Sequence, residues 1–414
     1  MKTDIGECVG TNARKKSEEF RRTGAWLNRA VFFRHDYRLP ENGLETFQVV
    51  FQRCGIANRK ENWVSFEILI ANLIANRLRR PVKISLNRNA WKKNRYKVVG
   101  PQVIKIVYNL SEYGYIHLIK GFRTEEKAYL SRIWPTKALL EYFPERNKNV
   151  RYAPVELVEL RGDNKQLLNY DDTAQTRRIR KILHKVMEVN QDAEIRFDDF
   201  SLSGTLVAIF KRKFTLYGRL HTRGLHQYQG LSGEERKEIT IDGEPTVELD
   251  FRGLHPHLLY TRVGIQYDGD PYSVVDQCEI VRLFLKQILL TLINSIDEKT
   301  AVKAANYWLY KNYDYYLRLK RLGITCARPF IEKFIKTHEP ISQFFCNGNE
   351  NGLRIMNLDS KIALDVINHF VQQRIPILAI HDSFIVQKRY EAELYLTMKV
   401  AYRKHTGGFN IGIK

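Results

Sequence analysis

The chain has 414 residues, which is enough for two or three domains with substantial hydrophobic cores. Apolar residues make up 44% of the sequence and aromatic residues 12%, which excludes an intrinsically disordered chain. Lys and Arg number 67 against 46 Asp and Glu, and the resulting formal net charge of +21 is far more than solubility requires. An excess of this size indicates a polyanionic partner.

The cysteines and the hydropathy pattern exclude several protein classes. The chain has five cysteines, an odd number that includes no CxxC pair, which disfavours a disulfide framework and a zinc ribbon. The first residues lack the apolar segment of a secretory signal, and no stretch approaches the roughly 18 apolar residues of a membrane span. We therefore expect a cytoplasmic protein with no membrane association.

The N-terminal part is predicted to comprise an arm, residues 1–58, and a compact domain, residues 59–145. Apolar residues at helical spacing predict a first helix over 63–78, and Gly100-Pro101 predicts the start of a second. Residues 115–133 resemble two strands around a polar turn. This order is typical of a winged-helix domain, in which the second helix enters a DNA major groove.

Four polar side chains of this domain are candidates for nucleic-acid contact. Lys97, Lys105 and Asn109 would lie near phosphates or base edges, and Arg123 would lie on the wing. A structural domain that contacts no nucleic acid is the alternative.

Residues 146–204 are predicted to be a connector and a helix rich in basic residues. In the helix, over 176–189, the apolar residues Ile179, Leu183 and Val186 form one stripe, so the basic side chains face away from it. These side chains would either follow a duplex backbone, as a short thumb would, or form a solvated helix face.

Two segments of the last 170 residues each present an aspartate at the end of an apolar strand. Residues 246–250 form an alternating strand that ends at Asp250, and residues 375–386 form an apolar hairpin with His381 and Asp382 at its turn. Carboxylates between apolar strands are costly unless a cation pairs with them. Two Mg²⁺ ions would relieve the repulsion and could clamp the oxygens of a phosphoryl transfer. The pattern therefore predicts a two-metal site.

A third segment supplies positive charge. On a helix, Arg282, Lys286, Leu290 and Asn294 recur every fourth residue and share one face. Two cations one turn apart would suit the phosphates of a nucleoside triphosphate.

These segments resemble motifs A, B and C of the DNA polymerase I (family A) superfamily, which includes the single-subunit phage and mitochondrial RNA polymerases. The matching residues are Asp250-Phe251 for motif A, Arg282 and Lys286 for motif B, and residues 380–384 for motif C; Tyr217-Gly218-Arg219-Leu220 resembles the superfamily's Gly-Arg motif. The resemblance covers about residues 205–414 and does not extend to residues 1–200.

The resemblance implies an α+β, right-hand polymerase domain over 205–414, preceded by the winged-helix-like domain. Palm strands would lie at 246–250 and 377–386, fingers at about 275–345, and a reduced thumb near 173–190.

The resemblance also implies roles for individual residues. Asp250 and Asp382 would bind two Mg²⁺ ions, or Mn²⁺ in their place, with the Phe251 carbonyl as a further ligand. Lys286 and Arg282 would neutralise the triphosphate.

Three further positions would contact nucleic acid. By the same resemblance, His381 would touch the primer end or the ribose, and Gly218 and Arg219 would hold the template backbone.

Three positions would govern nucleotide and sugar choice. His255 stands where DNA polymerases have a glutamate and RNA polymerases a glycine, so its bulk favours deoxynucleotides. Asn294 replaces the tyrosine with which motif B normally continues, and Leu290 lies one turn before it. No acidic exonuclease cluster is recognisable, so we expect no proofreading.

A competing motif B exists in the next helix, where Lys299, Lys303 and Tyr307 also step by four. We prefer the earlier register because it contains an arginine. The aromatics Tyr307, Trp308 and Tyr310 would either pack in the core or stack on a single-stranded template.

The leading prediction is a template-directed DNA polymerase that adds dNTPs to a 3′-hydroxyl, with primer-template DNA as its partner and a role in replicating a plasmid, phage or other mobile element. An RNA polymerase or primase, acting with RNA, is the alternative within the same chemistry. A DNA-binding initiator or regulator with a degenerate palm is the alternative outside it.

Overall fold

A computed structural model describes residues 26–39, 44–126, 128–143, 150–224, 226–274 and 279–414. The chain divides into two compact units, 1–156 and 157–414, and mixes helices with largely antiparallel sheets, as expected for an α+β protein. Residues 1–25 and 40–43 of the predicted N-terminal arm lie outside the described residues. Within the described part, no helix combines the length and hydropathy needed to cross a membrane.

Within the part of residues 1–156 that the structure describes, the first unit has four helices and six strands with defined bounds. The helices are α1 (Leu44–Arg53), α2 (Lys60–Asn76), α3 (Val103–Glu112) and α4 (Lys137–Glu141); the strands are β1 (Val31–Phe32), β2 (Tyr37–Arg38), β3 (Val82–Ile84), β4 (Ile116–Ile119), β5 (Ser131–Pro135) and β6 (Arg151–Tyr152).

A four-stranded sheet, in the order β1-β3-β5-β4, organises this unit. Strand β1 runs parallel to β3, and the other neighbours are antiparallel. The chain order from α2 onward is helix, strand, a 3₁₀ turn at Arg88–Trp91, helix α3, and the hairpin β4–β5. The apolar faces of α2 and α3 meet the sheet in one core, to which Phe66, Val107 and Ile133 belong.

The second unit contains nine helices and nine strands in the part of residues 157–414 that is described. The helices are α5 (Ala174–Asp192), α6 (Gly233–Lys237), α7 (Leu254–Arg262), α8 (Glu279–Leu292), α9 (Glu298–Lys311), α10 (Tyr313–Arg321), α11 (Arg328–Thr337), α12 (Asn351–Gln372) and α13 (Glu391–Thr406). The strands are β7 (Val158–Arg161), β8 (Ile195–Phe197), β9 (Phe200–Ser201), β10 (Thr205–Lys211), β11 (Lys213–Arg223), β12 (Thr240–Ile241), β13 (Glu244–Asp250), β14 (Leu378–Ile380) and β15 (Ser383–Gln387).

Two sheets form the framework of this unit. One has the order β11-β10-β7, and the other has the order β14-β15-β13-β12-β8-β9. The second sheet places β13 beside β15, although more than 130 residues separate them in sequence. Helix α12 packs against β11, and α8 packs against α9 and α11. Residues 157–204, predicted from sequence to be a connector and a thumb, pack within this unit.

Helix α5 contains the basic stretch predicted to be a thumb. Its apolar stripe packs against β10 and α12, and several of its cations pair within the protein. Arg178 pairs with Asp365 at 2.6 Å, and Lys185 pairs with Glu188 at 3.1 Å. The helix is therefore anchored by its apolar face, and much of its positive charge is balanced locally.

Candidate active site

The antiparallel pairing of β13 with β15 brings the two predicted carboxylates together. Asp250 is the cross-strand partner of Ser383, the residue that follows Asp382. The β14–β15 hairpin has a two-residue turn made by His381 and Asp382, and His381 adopts a left-handed φ of 61°. Both carboxylates line one open cleft of about 710 Å³. The sequence prediction that these aspartates meet at adjacent strand ends therefore matches the geometry.

The electrostatic environment of the two carboxylates favours a cation. Burial, together with the neighbouring charges of Asp359 and Asp250, raises the pKa of Asp382 to about 6. Burial also raises the pKa of Asp250, although Lys414, whose Nζ lies 3.5 Å from Oδ2, opposes the shift. Like charges held close together in a partly dehydrated site are stabilised by a divalent cation.

A third carboxylate, Asp359, was not anticipated from the sequence. It lies on α12, is 1% exposed, and accepts hydrogen bonds from Arg219 Nε at 3.1 Å and Nη2 at 2.7 Å. His255 Nε2 lies 3.4 Å from the same Asp359 oxygen and 3.1 Å from Arg219 Nη2. Burial alone would raise the pKa of Asp359, but the His255 hydrogen bond and the Arg219 charge hold it below its usual value.

The contacts within this Arg219–Asp359–His255 cluster bear on the roles predicted from sequence for Arg219 and His255. Arg219 lines the cleft but is tied to α12, and His255 is 11% exposed and held by the same carboxylate. The apolar pattern of α12 could have indicated that Asp359 is buried, because Ile355, Asp359 and Ile362 recur at helical spacing on the buried face of this helix. An aspartate in an apolar stripe requires a charged or hydrogen-bonding partner.

The predicted motif B cations lie on α8 and face the same cleft. The Arg282 guanidinium lies 5.1 Å from the centroid of the Tyr272 ring, and Lys286 Nζ lies 5.8 Å from it. Arg282 also forms an ion pair with Asp270, and this contact helps to hold the pKa of Asp270 below its usual value against the effect of burial. Lys286 is close enough to Asp250 to favour its ionised form. The competing residues Lys299 and Lys303 do not line this cleft.

Leu290 and Asn294, on the next turns of α8, occupy different positions. Leu290 lines the cleft. Asn294 does not, because its amide donates to the Leu290 carbonyl at 2.7 Å and its side chain lies against Gly352 at the start of α12. The structure thus places Leu290, but not Asn294, in the cleft.

Gly218 has a packing role at the crossing of β11 and α12. Its φ is 83°, and a Cβ atom there would lie 2.6 Å from Ser360 Oγ and 3.0 Å from Asn357 Nδ2. Glycine is therefore required by both backbone conformation and space. Gly218 lets β11 approach α12 closely enough for Arg219 to reach Asp359, and it does not itself line the cleft.

His381 lies behind the cleft wall. Its ring packs edge to face on His221, with centroids 5.5 Å apart, and His221 is hydrogen-bonded to Tyr217 at 3.0 Å. Burial lowers the pKa of His381 to about 4, and the Arg219 charge acts in the same direction. Among the residues that the structure describes, no hydrogen bond satisfies the buried Nδ1 atom of His381.

The last residues of the chain form an edge beside motif A. The backbone N–H groups of Asp250 and Lys414 donate to each other's carbonyls at 2.9 and 3.0 Å, and Arg252 donates to Gly412. Phe251 forms a bridge with Ile413 that leaves the Phe251 carbonyl outside these hydrogen bonds. No sequence pattern indicated this pairing, because it depends on where the chain end folds back.

The donor set suits a hard divalent cation. Two carboxylates and one free carbonyl provide only oxygen ligands, which Mg²⁺ prefers. Within the described ranges, no group of three or more His, Cys, Asp or Glu side chains is arranged to hold a metal ion. Asp250 and Asp382 would therefore depend on water and on a bound ligand's oxygens to complete a coordination shell.

Comparisons with known proteins find similarity among solved structures. No protein-family model matches the chain, and no curated protein matches it in sequence. The POL domain of Pol1 from M. smegmatis, in complex with DNA primer-template and dNTP, is similar with a TM-score of 0.30 and 11% sequence identity. The match spans 58% of this chain and 50% of that chain. A similarity at this level does not show a shared function, so the geometry of the cleft has to support one.

Proposed function

We propose that the unit formed by residues 157–414 is a nucleotidyltransferase that extends a nucleic acid 3′-hydroxyl with nucleoside triphosphates. The observation that carries the proposal is the register of β13 and β15, which places Asp250 and Asp382 at one edge of a cleft. Lys286 and Arg282 line the same cleft. Paired carboxylates and two cations in one cleft are the parts that phosphoryl transfer requires.

In this proposal Asp250, Asp382 and the Phe251 carbonyl hold divalent cations, with Mg²⁺ first and Mn²⁺ as a substitute. Bound cations would lower the pKa of the attacking hydroxyl and offset charge on the phosphates. The raised pKa of Asp382 supports this assignment, because a carboxylate crowded by others gains most from a cation.

The cationic residues of α8 would bind the triphosphate. Lys286 lies close enough to Asp250 to lower its pKa, and its ammonium would offset the charge that develops on the leaving pyrophosphate. Arg282 would bind the outer phosphates once its contact with Asp270 is exchanged for them. Tyr272, which lies under both cations, fixes their positions at the cleft wall.

The nucleic acid partner is proposed to be primer-template DNA. His255 fills space beside the cleft and is held there by Asp359, so it favours substrates that lack a 2′-hydroxyl. His381 does not line the cleft, and its buried Nδ1 atom has no hydrogen-bond partner among the described residues, so contact with the primer end is not part of this proposal. RNA synthesis is the alternative outcome, because the sugar preference depends on this one side chain.

The first unit is proposed to be a winged-helix DNA-binding domain. The proposal is supported by the order of helix, strand, 3₁₀ turn, helix and hairpin, and by a sheet of order β1-β3-β5-β4 in which the hairpin lies beside β3. On α3, Lys105 and Tyr108 are exposed, and Lys120 Nζ lies 5.5 Å from the Tyr108 ring centroid. Asn109 and Lys97 donate to the carbonyls of Cys54 and Ala90, so they serve the fold and are not proposed as DNA contacts.

Primer extension tests the function. The protein is incubated with a labelled primer-template, Mg²⁺ and either dNTPs or rNTPs, with and without template. We expect template-dependent extension with dNTPs, loss of about a thousandfold or more in rate for Asp382→Ala, and nearly unchanged DNA binding by that variant. Asp199→Ala, at an exposed carboxylate that does not line the cleft, is the matched control. Duplex binding without any incorporation would instead favour a non-catalytic initiator.

A further inference from the structure

The helices α9 and α10 present a surface that the proposed active site does not use. Three tyrosines on it are unusually exposed for their size: Tyr307 is 59% exposed, Tyr310 72% and Tyr313 58%. Large aromatic side chains are normally half buried or more, so a group of exposed ones indicates a binding surface. We call these three residues the tyrosine ridge.

The neighbouring aromatics show that the ridge is not an incompletely packed core. Trp308 stacks on Phe284 of α8, with centroids 6.4 Å apart, and contacts Tyr315 edge to face at 5.2 Å. These inward-facing rings anchor α9 and α10 on the helix that carries Arg282 and Lys286. The ridge therefore lies on the opposite, solvent-facing side of a firmly packed helix pair.

The charge around the ridge is strongly positive. Helices α9 and α10, residues 298–321, contain six Lys and Arg and two acidic residues, Glu298 and Asp314. Lys299, Lys303, Tyr307 and Lys311 follow one another at four-residue intervals along α9, and Lys311 Nζ lies 5.5 Å from the Tyr307 ring centroid. None of the six cations forms an ion pair with another described residue. Their charges are thus available to an external polyanion.

Exposed aromatic rings interleaved with unpaired cations match the chemistry of one macromolecule class. Single-stranded nucleic acid offers unstacked bases to the rings and phosphates to the lysines. A duplex offers no base faces, and an acidic polypeptide gains nothing specific from the rings. We propose that the tyrosine ridge, with Lys303 and Lys311, binds single-stranded nucleic acid.

This proposal deepens the function above, because the bound strand would be the unpaired template that leads to the cleft. Helix α9 packs directly on α8, so a strand held on the ridge would be separated by the thickness of α9 from the helix that lines the nucleotide site. Binding to the ridge requires neither catalysis nor a metal ion.

Fluorescence anisotropy with a labelled oligo-dT of about 20 nucleotides, in EDTA and without nucleotides, tests the proposal. Changing Tyr307, Tyr310 and Tyr313 together to alanine should weaken binding at least about tenfold, whereas the triple phenylalanine variant should retain it because phenylalanine still stacks. Lys303→Gln with Lys311→Gln should lower the slope of log K against log salt by about 1.4, at about 0.7 per phosphate contact.

The control comes from α13, where Tyr395 and Lys399 form a second tyrosine–lysine pair, with Nζ 4.8 Å from the ring centroid. Tyr395→Ala should leave oligonucleotide binding unchanged. Equal affinities of the wild type and the triple alanine variant for oligo-dT would overturn the proposal. It would also be overturned if the triple alanine variant lost binding to polyglutamate, an acidic polypeptide, but kept its binding to oligo-dT. This measurement does not involve nucleotide incorporation. A protein that binds oligo-dT through the ridge but incorporates no nucleotide would therefore refute only the proposed polymerase function.

Discussion

At the residue scale, the cleft is organised by carboxylates whose pKa values move in opposite directions. Asp382 has its pKa raised by burial and by neighbouring carboxylates, whereas Asp359 is kept ionised by His255 and Arg219. Among the described residues, Asp382 forms no ion pair, whereas the charge of Asp359 is compensated by Arg219. Only the first is suited to binding a metal ion.

The raised pKa of Asp382 has a consequence for stability in the absence of metal. A carboxyl whose folded pKa is raised contributes stability below its unfolded pKa, and that contribution is lost as pH rises through about 6. In EDTA, Asp382→Asn should therefore become more stable than the wild type as pH rises from 5 to 7.5, on the order of 1 kcal/mol or more. Thermal melts at both pH values, with and without Mg²⁺, measure this difference.

Asp365 is a control for which the expected pH dependence of stability has the opposite sign. Burial alone would raise its pKa, but hydrogen bonds from His405, Lys404 and Arg178 hold the pKa well below its usual range. Its contribution to stability is present above the unfolded pKa, so Asp365→Asn should destabilise the protein at pH 7.5. If Asp382→Asn also destabilises the metal-free protein at pH 7.5, the electrostatic description of the cleft is wrong.

Asp270 competes with phosphate for Arg282. Because the two side chains form an ion pair, binding of a triphosphate by Arg282 must displace the carboxylate. Asp270→Asn should therefore tighten dNTP binding about two- to fivefold, the range expected for a partly exposed ion pair. Calorimetric titration of dNTP measures it, with Asp268→Asn, a neighbouring cleft residue, as the control. Equal effects of the two substitutions would mean that only the general potential of the cleft matters.

At the element scale, the position of Arg219 depends on how closely β11 approaches α12. Gly218→Ala should cost about 2–4 kcal/mol of unfolding free energy, because it combines a left-handed φ with a Cβ clash. Gly243→Ala measures the cost of the left-handed φ without a clash, because Gly243 has a φ of 76° but nothing lies within 4 Å of the added Cβ. That variant should cost only about 1 kcal/mol. Chemical denaturation measures both, and equal costs would contradict the packing role.

Local sequence patterns predicted the elements better than the contacts between them. Apolar alternation predicted the strand that ends at Asp250 and the hairpin that turns at Asp382. The two aspartates come together because these strands pair in one sheet and both aspartates lie at the same edge of it. The Arg219–Asp359 pair joins residues 140 positions apart, and the pairing of Lys414 with Asp250 joins positions 164 apart. Such contacts are set by tertiary packing, which a single sequence does not encode locally.

The tyrosines of α9 are a second case in which the sequence predicts an element but not its contacts. Spacing places Tyr307 and Lys311 on one helix face, but it cannot decide which face meets the core. Contacts of Trp308 with Phe284 settle that choice, because they orient the helix and leave Tyr307 and Tyr310 in solvent. Core packing therefore applies to Trp308, and stacking stays a proposal for Tyr307 and Tyr310.

At the scale of the whole molecule, the positive charge is unevenly distributed. Residues 1–156 contain 30 Lys and Arg against 15 Asp and Glu, whereas residues 157–414 contain 37 against 31. Most of the net charge therefore belongs to the first unit, which has few catalytic candidates. This distribution supports DNA binding by the first unit and chemistry in the second.

Salt dependence of duplex binding tests this division of roles. Lys105→Gln with Lys120→Gln should lower the slope of log K against log salt by about 1.8, at about 0.9 per phosphate contact. Lys361→Gln, an exposed lysine of the second unit, should change the slope little. The measurement is a duplex titration by anisotropy between about 50 and 200 mM salt. A larger effect of Lys361→Gln would place the main duplex-binding surface in the second unit.

The central claim is that Asp250 and Asp382 meet in order to hold divalent cations, and a Mn²⁺ titration followed by electron paramagnetic resonance tests it most directly. In the presence of primer-template and dNTP at pH 7.5, the wild type should bind Mn²⁺ that Asp250→Asn and Asp382→Asn each lose. Binding should weaken below about pH 6, where Asp382 takes up a proton. Mn²⁺ binding that is unchanged in both variants would contradict the account.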